Sequence, residues 1–470
     1  DHRWADTGGL KRKLKGDGLR KLRASVETLI RDSVAVVYQR NRKCEVGIHL
    51  NKNWYSSSIS PIGLTYSIHV ERAYRGMVEL DYLERTKKGI FDRQGRKDGK
   101  RRNRVTRYRA TDRLIDKFTA QEQEVLPVIV PPQEAHELIR IRVRTEDGRD
   151  EVYPAPRSGE VELMKWNLER INRVLARCWY DLEVPDSELA ELQARLANDP
   201  EDERRLALHQ RTLHRVFNDD ELTTGGRFYG GWWQNIPKAY RRHLIVDGKR
   251  MVEIDYSNLH PVILYAEAGV TPPDDCYRRI FNDEIEARYG DDLRSMVKAA
   301  FNAMLNAEKK LSQAPEDIEP SQFGMTWRDV SEAILTAHAP IADRFYTGIG
   351  KRLQRKDSDV AERVMLDFID NGNSILPIHD SFLVHEGHRN LLDERMQAAL
   401  LEVCDVETRL KLVEPDLSRI FAKRAKEREQ DPEGFGPETT QDIVEIFAAE
   451  EGYEKRLGAF FRLSRIAAEK

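Results

Sequence analysis

Two short apolar runs that each end in an aspartate constrain the fold of this 470-residue chain more than any other feature. The first is Val252-Glu253-Ile254-Asp255-Tyr256-Ser257, and the second is Leu376-Pro377-Ile378-His379-Asp380-Ser381-Phe382. Each aspartate follows a run with the length and composition of a short β-strand. The runs at 375–378 and 382–384 predict a hairpin, and Asp247-Gly248 predicts a second hairpin that leads to Asp255. We expect the two carboxylates to lie side by side, where they can bind a pair of divalent cations.

A helix is predicted between the two aspartates, over residues 294–306. Its polar residues recur every four positions and therefore share one face: Arg294, Lys298, Asn302 and Asn306. The apolar residues of the opposite face point toward a core: Val297, Ala300, Phe301 and Met304. An Arg and a Lys one turn apart can hold a triphosphate, although the same pattern also fits a solvated amphipathic helix.

Positive charge is concentrated at the N-terminal end. Residues 1–113 hold 28 Lys and Arg against 13 Asp and Glu, whereas the remainder holds 49 against 67. Such an asymmetry favours a polyanionic partner for the N-terminal part. A helix is predicted over 65–83, and residues 85–113 then form two strand-like runs joined by a basic tip that contains glycine.

This order of elements resembles a winged-helix domain, in which the hairpin contacts the phosphates of the DNA backbone. Such contacts would tolerate many sequences and would weaken with salt. The alternative is a solvated basic loop without a ligand. The residues that we predict to contact nucleic acid here are Arg96, Lys97, Lys100, Arg101, Arg102, Arg104 and Arg107.

Length and cysteine content bound the class of protein. A chain of 470 residues is expected to form several structural units. Its four cysteines form no Cys-x-x-Cys pair, so neither a disulfide framework nor a zinc site is predicted, and a reducing cytoplasm is the expected location. No apolar run approaches the ~20 residues of a membrane span, so no membrane association is expected.

The three central segments resemble, in this order, motifs A, B and C of the family A polymerases, which include the phage-type single-subunit RNA polymerases. Asp255-Tyr256-Ser257 has the form of motif A in the DNA polymerases, whereas His379-Asp380-Ser381 has the form of motif C in the RNA polymerases. The resemblance covers roughly residues 216–410. It implies that Asp255, Asp380 and the backbone carbonyl of Tyr256 bind two Mg²⁺ ions, or Mn²⁺. It also implies that Arg294 and Lys298 bind the phosphates of an incoming nucleotide.

Two further matches flank these motifs. Gly226-Arg227, followed by Gln234-Asn235-Ile236-Pro237, resembles the family segment whose Arg contacts the primer–template, although the spacing is shorter. A second helix before motif C matches through Gln354, Asp359 and Met365. The residues to which the resemblance assigns contacts with the primer end or the duplex are Arg227, Gln234, Gln354 and His379.

The chain departs from the family at the nucleotide pocket. Motif A normally has Glu where this chain has His260, and that Glu closes the pocket against a ribose 2′-OH. Asn302 replaces the aromatic residue that stacks on the base, and Asn306 stands where motif B normally has Tyr. His260, held by Asn306, could block the 2′-OH, or it could donate a hydrogen bond to that hydroxyl and favour ribonucleotides. The sequence leaves both alternatives open.

The predicted fold class is α+β: a right-hand polymerase palm with an antiparallel sheet, small helical fingers, a short helical thumb and the basic winged-helix-like domain. The predicted units are an N-terminal basic domain (1–115), a linker with one strand pair (116–159), a thumb-like helical segment (160–215), the motif A part of the palm (216–263), fingers (264–335), the motif C part of the palm (336–425) and a helical tail (426–470).

The predicted activity is that of a nucleotidyltransferase, a template-directed DNA polymerase without proofreading, because no acidic cluster resembles the family's exonuclease. The first alternative is an RNA polymerase or primase-like enzyme that uses NTPs. The second is a DNA-binding initiator or structural protein with an inactive palm. The expected partners are a DNA primer–template or single-stranded template and nucleoside triphosphates, and the oligomeric state stays open.

Overall fold

The computed structural model describes residues 14–39, 45–48, 50, 68–89, 105–119, 137–144, 150–184, 186–197, 206, 208, 210–413, 457–458 and 460–461. It confirms the α+β class, with antiparallel strand pairs and packed helices. Within these residues no helix is long and apolar enough to cross a membrane.

Among its described residues, the N-terminal part contains three helices and a three-stranded antiparallel sheet. The elements are α1 (Asp17–Gln39), β1 (Val46–Ile48), α2 (Ile68–Glu79), β2 (Leu83–Lys87), β3 (Thr106–Ala110) and α3 (Asp112–Thr119), and the strand order is β1-β3-β2. Its apolar side chains, among them Leu22, Met77 and Tyr108, form a core of their own. The predicted hairpin is therefore confirmed as β2 and β3.

Helix α2 ends earlier than predicted. We expected a helix over 65–83, but Asp81 adopts a left-handed φ of 58° and the amide of Tyr82 donates to the carbonyl of Met77. This closure of the helix end redirects Leu83 into β2, where it pairs with Ala110. Six predicted nucleic-acid contacts, at 96–104, lie outside the described residues. Arg107 lies on β3, with its guanidinium 3.7 Å from the carboxylate of Glu45.

The remaining strands build two further sheets. They are β4 (Ile139–Arg144), β5 (Asp150–Pro154), β6 (Tyr180–Leu182), β7 (His214–Phe217), β8 (Gly225–Tyr229), β9 (Leu244–Val246), β10 (Lys249–Tyr256), β11 (Leu376–Ile378), β12 (Ser381–His385) and β13 (Leu410–Val413). One sheet has the order β5-β4-β7-β8, and the other has the order β11-β12-β10-β9-β6 with β13 also paired to β10. The strand pair predicted within the linker exists as β4 and β5, and it joins β7 through parallel pairing.

The helices of this part pack on both sheets. They are α4 (Gly159–Arg177), α5 (Asp186–Ala197), α6 (Lys238–Arg241), α7 (Leu259–Glu267), α8 (Asp283–Asn306), α9 (Trp327–Ala337), α10 (Gly350–Asp370) and α11 (Arg389–Cys404). The helix predicted at 294–306 is the C-terminal part of α8, and the non-helical φ of 50° at Gly290 kinks α8 just before it. Its predicted core face is confirmed, because Val297, Ala300 and Phe301 are buried.

The C-terminal residues that the structure describes return to this core. Phe460 is buried and stacks on Trp179 at a ring distance of 5.5 Å. The guanidinium of Arg211 lies 4.6 Å from the same ring. At least this part of the segment predicted as a tail therefore contributes to the main core.

Gly226 allows β8 to pack closely against Phe217 on β7 and Ser358 on α10. Its φ is +83°, and a Cβ there would come within 2.7 Å of the Phe217 ring and 2.9 Å of the Ser358 hydroxyl oxygen on α10. A side chain at this position would meet both a strained backbone and a steric clash. Close packing of β8 on α10 therefore requires glycine, and this packing positions the neighbouring Arg227.

Gly226→Ala is expected to lower the free energy of unfolding by more than ~1 kcal/mol, because alanine does not fit a left-handed φ in a closed space. Gly159→Ala is the matched control, since Gly159 has ordinary helical surroundings with open space around its Cα. Urea denaturation followed by circular dichroism measures both. Equal stability of the two variants would contradict this account of β8.

Candidate functional site

Asp255 lies near the end of β10, and Asp380 lies in the turn that leads into the neighbouring strand β12. Strands β10 and β12 pair antiparallel with Asp255 opposite Ser381, and the amide nitrogen of Tyr256 lies 3.5 Å from the carbonyl oxygen of Asp380. His379 and Asp380 form the tip of the predicted hairpin, with His379 at a left-handed φ of 59°. The predicted proximity of the two aspartates is therefore confirmed. Residues other than glycine rarely adopt a positive φ, and those that do are often found in functional sites, as expected for His379 here.

Glu253 supports the pair from within the sheet, and sequence reasoning missed it. It precedes Asp255 by two residues, so both side chains leave the same face of β10. One carboxylate oxygen of the buried Glu253 accepts hydrogen bonds from the Ser381 hydroxyl at 2.8 Å and from Arg241 at 3.1 Å. The available signal was the strand period, because an acidic residue two positions before Asp255 must share its face.

The electrostatic state of Asp255 reflects burial beside a second carboxylate. Burial first, and then the charge of Asp380, raises the pKa of Asp255 from 3.8 to about 7. The charge of Lys298 on α8 acts in the opposite direction. Two neighbouring carboxylates with an excess of negative charge match the oxygen ligands that Mg²⁺ or Mn²⁺ prefers. Asp255 and Asp380 therefore fit a divalent-cation site, although the described residues contain no cluster of three or more acidic, His or Cys ligands.

The basic face of α8 lies around a buried tyrosine. The Arg294 guanidinium and the Lys298 ammonium lie 5.4 and 5.8 Å from the centre of the Tyr277 ring. Arg294 donates to the Asp275 carboxylate at 2.7 Å, while Lys298 is exposed. The Tyr277 ring packs edge-on against Phe301 on the core side of α8. Tyr277 thus supports both cations, and no motif in the sequence indicated it.

A buried carboxylate links two residues that the sequence placed in different motifs. Asp357 on α10 is 1% exposed and accepts hydrogen bonds from His260 at 2.9 Å and from the Nε of Arg227 at 3.1 Å, with a further bond from the Nη2 of Arg227. Burial disfavours the ionised form, but the bonds from His260 and Arg227 outweigh it and lower the pKa of Asp357. Asp357 is therefore an ionised carboxylate held between the two partners.

The expected partnership of His260 with Asn306 is wrong. The side-chain amide of Asn306 donates to the carbonyl of Asn302 in its own helix at 2.8 Å, and the ring of His260 bonds to Asp357. The reason is the position of α10, which brings a carboxylate close to the first turn of α7. A carboxylate is a stronger partner for an imidazole N–H than a neutral amide. Sequence reasoning passed over Asp357 because it lies between the matched Gln354 and Asp359.

His379 lies between this cluster and a ring on β8. Its ring centre is 5.9 Å from that of Tyr229, in an edge-on arrangement. Burial, and then the charge of Arg227, lowers the pKa of His379. Its buried Nδ1 has no hydrogen-bond partner among the described residues. An unpartnered polar atom beside Asp380 is available to a ligand.

The other predicted site residues occupy varied surroundings. The Tyr256 side chain is buried on the far face of β10, where its hydroxyl donates to the carbonyl of Met396 at 2.5 Å, so only its backbone can reach the aspartates. The Gln234 amide donates to the backbone carbonyls of Phe228 and Pro377. Gln354 is half-buried on α10, one turn before Asp357. Their roles toward nucleotide or nucleic acid stay predictions.

Comparison with known proteins yields a likeness to solved structures. No protein-family model and no curated protein matches the chain. Among solved structures, the chain is similar to the POL domain of Pol1 from M. smegmatis, in complex with a DNA primer-template and a dNTP, at 18% sequence identity and a TM-score of 0.30. The match covers 43% of this chain and 47% of that one, so the chain spans about half the length of that structure. The chemistry of the site is therefore inferred from its own residues.

Asp255→Asn is expected to raise the melting temperature at pH 8 in EDTA by a few degrees, on the order of 2–4 °C. Because the pKa of Asp255 is raised in the folded state, the folded chain holds a proton that the unfolded chain releases between pH 3.8 and about 7. The free energy of unfolding therefore falls as pH rises through that window, and a neutral amide avoids the loss. At pH 5 the gain should be smaller. Differential scanning calorimetry measures the melting temperatures, with Asp343→Asn as a control at an exposed position. An equal gain at pH 5 and pH 8 would show that the raised pKa of Asp255 is not the cause.

Asp357→Ala is expected to destabilise the fold by about 3 kcal/mol, because it leaves the largely buried Arg227 without its counter-charge. Asp357→Asn should cost less, since the amide oxygen still accepts a hydrogen bond. Asp370→Ala on the same helix is the control: Asp370 pairs with Arg170 at the surface, with 53% of its side chain exposed, so its loss should cost under ~1 kcal/mol. Denaturation in guanidinium chloride measures the free energy of unfolding of each variant. Equal losses for Asp357→Ala and Asp370→Ala would contradict this role of Asp357.

Proposed function

We propose that the chain is a nucleotidyltransferase that extends a nucleic-acid primer on a template, as a DNA polymerase of the family A type without proofreading. The observation that carries this proposal is the placement of Asp255 near the end of β10 and of Asp380 in the adjoining hairpin turn, with the charge of Lys298 on α8 acting on Asp255. A carboxylate pair facing a cation serves a reaction in which negative charge accumulates on phosphate oxygens. The sequence motifs independently assign the same three residues to this reaction.

Asp255 and Asp380, with the backbone carbonyl of Tyr256, would hold two Mg²⁺ ions. When bound, these ions make the primer 3′-OH more acidic and neutralise charge on the triphosphate and the departing pyrophosphate. The raised pKa of Asp255 is consistent with a carboxylate whose natural neighbour is a cation. Glu253 on β10 accepts hydrogen bonds from Ser381 at the start of β12 and from Arg241, and would keep the two ligands in register.

The remaining roles belong to side chains around the pair. Lys298 and Arg294 would bind the β- and γ-phosphates and stabilise the charge that develops on them during transfer. The Asp275 carboxylate and the Tyr277 ring orient Arg294 for this contact. His379, with its unpartnered Nδ1, would bind the primer end beside Asp380. In this proposal the sheet around β10 is the palm, α8 and α9 are the fingers, α4 and α5 are the thumb, and the N-terminal unit is a winged-helix domain.

The second candidate function is RNA synthesis or priming with NTPs. The observation that favours it is the hydrogen bond that holds the ring of His260 against Asp357, because an imidazole held in this way retains a second ring nitrogen that can bond to a ribose hydroxyl. The RNA-polymerase form of His379-Asp380-Ser381 points in the same direction. The DNA polymerase assignment depends instead on the form of motif A around Asp255.

Asp255→Ala and Asp380→Ala are each expected to reduce nucleotide incorporation to background, while binding of a fluorescent primer–template stays unchanged in anisotropy titrations. Extension of a labelled primer with dNTPs or NTPs, each also tested on unprimed template, separates the two candidate activities. Asp343→Asn, at an exposed position, controls for general effects. Incorporation by either alanine variant would remove the proposed mechanism. Tight binding without any product would identify a nucleic-acid-binding protein with an inactive site.

A further inference from the structure

We propose that one face of the β5-β4-β7-β8 sheet binds the growing nucleic-acid strand and guides its end to Asp380. The surface consists of Arg140, Arg142, His214 and Tyr229, and we call it the strand platform. Its use as a platform for the growing strand rests on the proposed function, whereas its affinity for a nucleic-acid strand follows from its own charge and rings. None of its residues except Tyr229 lies within two positions of a sequence motif.

Strand register places the platform residues on one face. Tyr229 pairs with His214 and Phe228 pairs with Arg215, so the two faces of β7 and β8 alternate. Phe228 and Arg215 are buried, and the Arg215 guanidinium bonds to the carboxylates of α10 on that inner side. Tyr229 and His214 are half-buried on the other side, with ring centres 6.3 Å apart. The sheet therefore has one face that packs on α10 and one that is partly open.

Strand β4 supplies positive charge to the open face. Its sequence alternates Ile and Arg, so that Ile139 and Ile141 are buried while Arg140 and Arg142 are half-buried on the opposite side. The Arg142 guanidinium lies 5.9 Å from the centre of the Tyr229 ring. Within the described residues Arg142 has no acidic partner, and Arg140 uses its Nε on the carbonyl of Glu137. Both guanidinium groups therefore retain donors for an anionic ligand.

The platform is continuous with the candidate site. The centre of the Tyr229 ring lies 5.9 Å from the Arg142 guanidinium and 5.9 Å from the centre of the His379 ring. His379 directly precedes Asp380 at the hairpin tip. A row of side chains therefore leads from β4 to the proposed metal-binding pair. It consists of Arg142, Tyr229, His379 and Asp380. Guanidinium groups bind phosphates and tyrosine rings stack on bases, so an unpaired nucleic-acid strand or the end of a primer matches this row.

Site-specific photocrosslinking tests the platform with the full chain. A primer–template carries 5-iodo-deoxyuridine near the primer 3′ end or, in a second duplex, at the opposite template position. We expect the primer label to crosslink to Tyr229 and the template label not to do so, as mapped by mass spectrometry. Tyr229→Ala should weaken binding of the primer–template about 10-fold, and Tyr229→Phe should retain it because the stacking ring remains.

Salt dependence tests the arginines. Arg142→Ala should reduce the slope of log affinity against log salt by about 1, the value for one lost phosphate contact. Arg328→Ala is the control, since its side chain is 82% exposed on α9, which packs on α8. Melting curves exclude unfolded variants, and Tyr229→Leu, which keeps an apolar side chain without the stacking ring, replaces Tyr229→Ala if that variant fails to fold; it should weaken binding as well.

The outcomes separate the platform from the proposed reaction. Crosslinking at Tyr229 with no nucleotide incorporation would retain the platform and reject the polymerase. Normal incorporation with crosslinks confined to the template strand, or with unchanged affinity in Tyr229→Ala and an unchanged salt slope in Arg142→Ala, would reject the platform. Stronger binding of an acidic peptide than of DNA to this face would likewise overturn it.

Discussion

Strand β10 is the constraint on which the candidate site depends. It pairs with β12 over Met251–Asp255 and with β13 over Glu253–Tyr256, so its C-terminal half is hydrogen-bonded on both edges. A slip of one residue would turn the Asp255 carboxylate into the apolar packing and remove the buried Tyr256 ring from it. Apolar packing beneath the sheet thus fixes the register, and the register fixes which carboxylate faces α8.

The same packing accumulates negative charge that the surrounding cations offset only in part. Glu253 and Asp255 lie on β10 and Asp380 lies in the turn before β12; burial first, and then the charge of Asp380, raises the pKa of Asp255. Arg241 is engaged by Glu253, while Arg227 is engaged by Asp357. Lys298 is exposed on α8 and is thus available to a ligand. This charge distribution suits the proposed function, in which a nucleoside triphosphate bound with divalent cations would bring positive charge to the aspartates and an anionic ligand to α8.

Sequence reasoning reached the residues whose positions follow from local periodicity. Hairpin signals predicted the placement of Asp255 and Asp380, and four-residue spacing predicted the two faces of α8. It did not reach contacts that depend on how distant elements pack. Asp357 and Tyr277 carry no local signal, because a buried Asp on a helix becomes meaningful only when α10 lies beside β8 and α7. Likewise, the linker strands β4 and β5 gained significance only through parallel pairing with β7, which no local pattern encodes.

Asp357 shows how one buried carboxylate can orient two residues and still leave both able to bind. Arg227 presents five N–H donors, and Asp357 engages its Nε and Nη2, so the Nη1 edge stays available to a nucleic-acid strand. His260 uses Nε2 on the same carboxylate, which directs Nδ1 away from it. Rotation of Arg227 away from the buried, ionised carboxylate would leave an uncompensated charge, and rotation of His260 would break its hydrogen bond to the same carboxylate. Under the proposed function, a change in the contacts of Arg227 with a primer would alter the hydrogen bond of His260, so that the choice of nucleotide sugar would depend on whether a primer is bound.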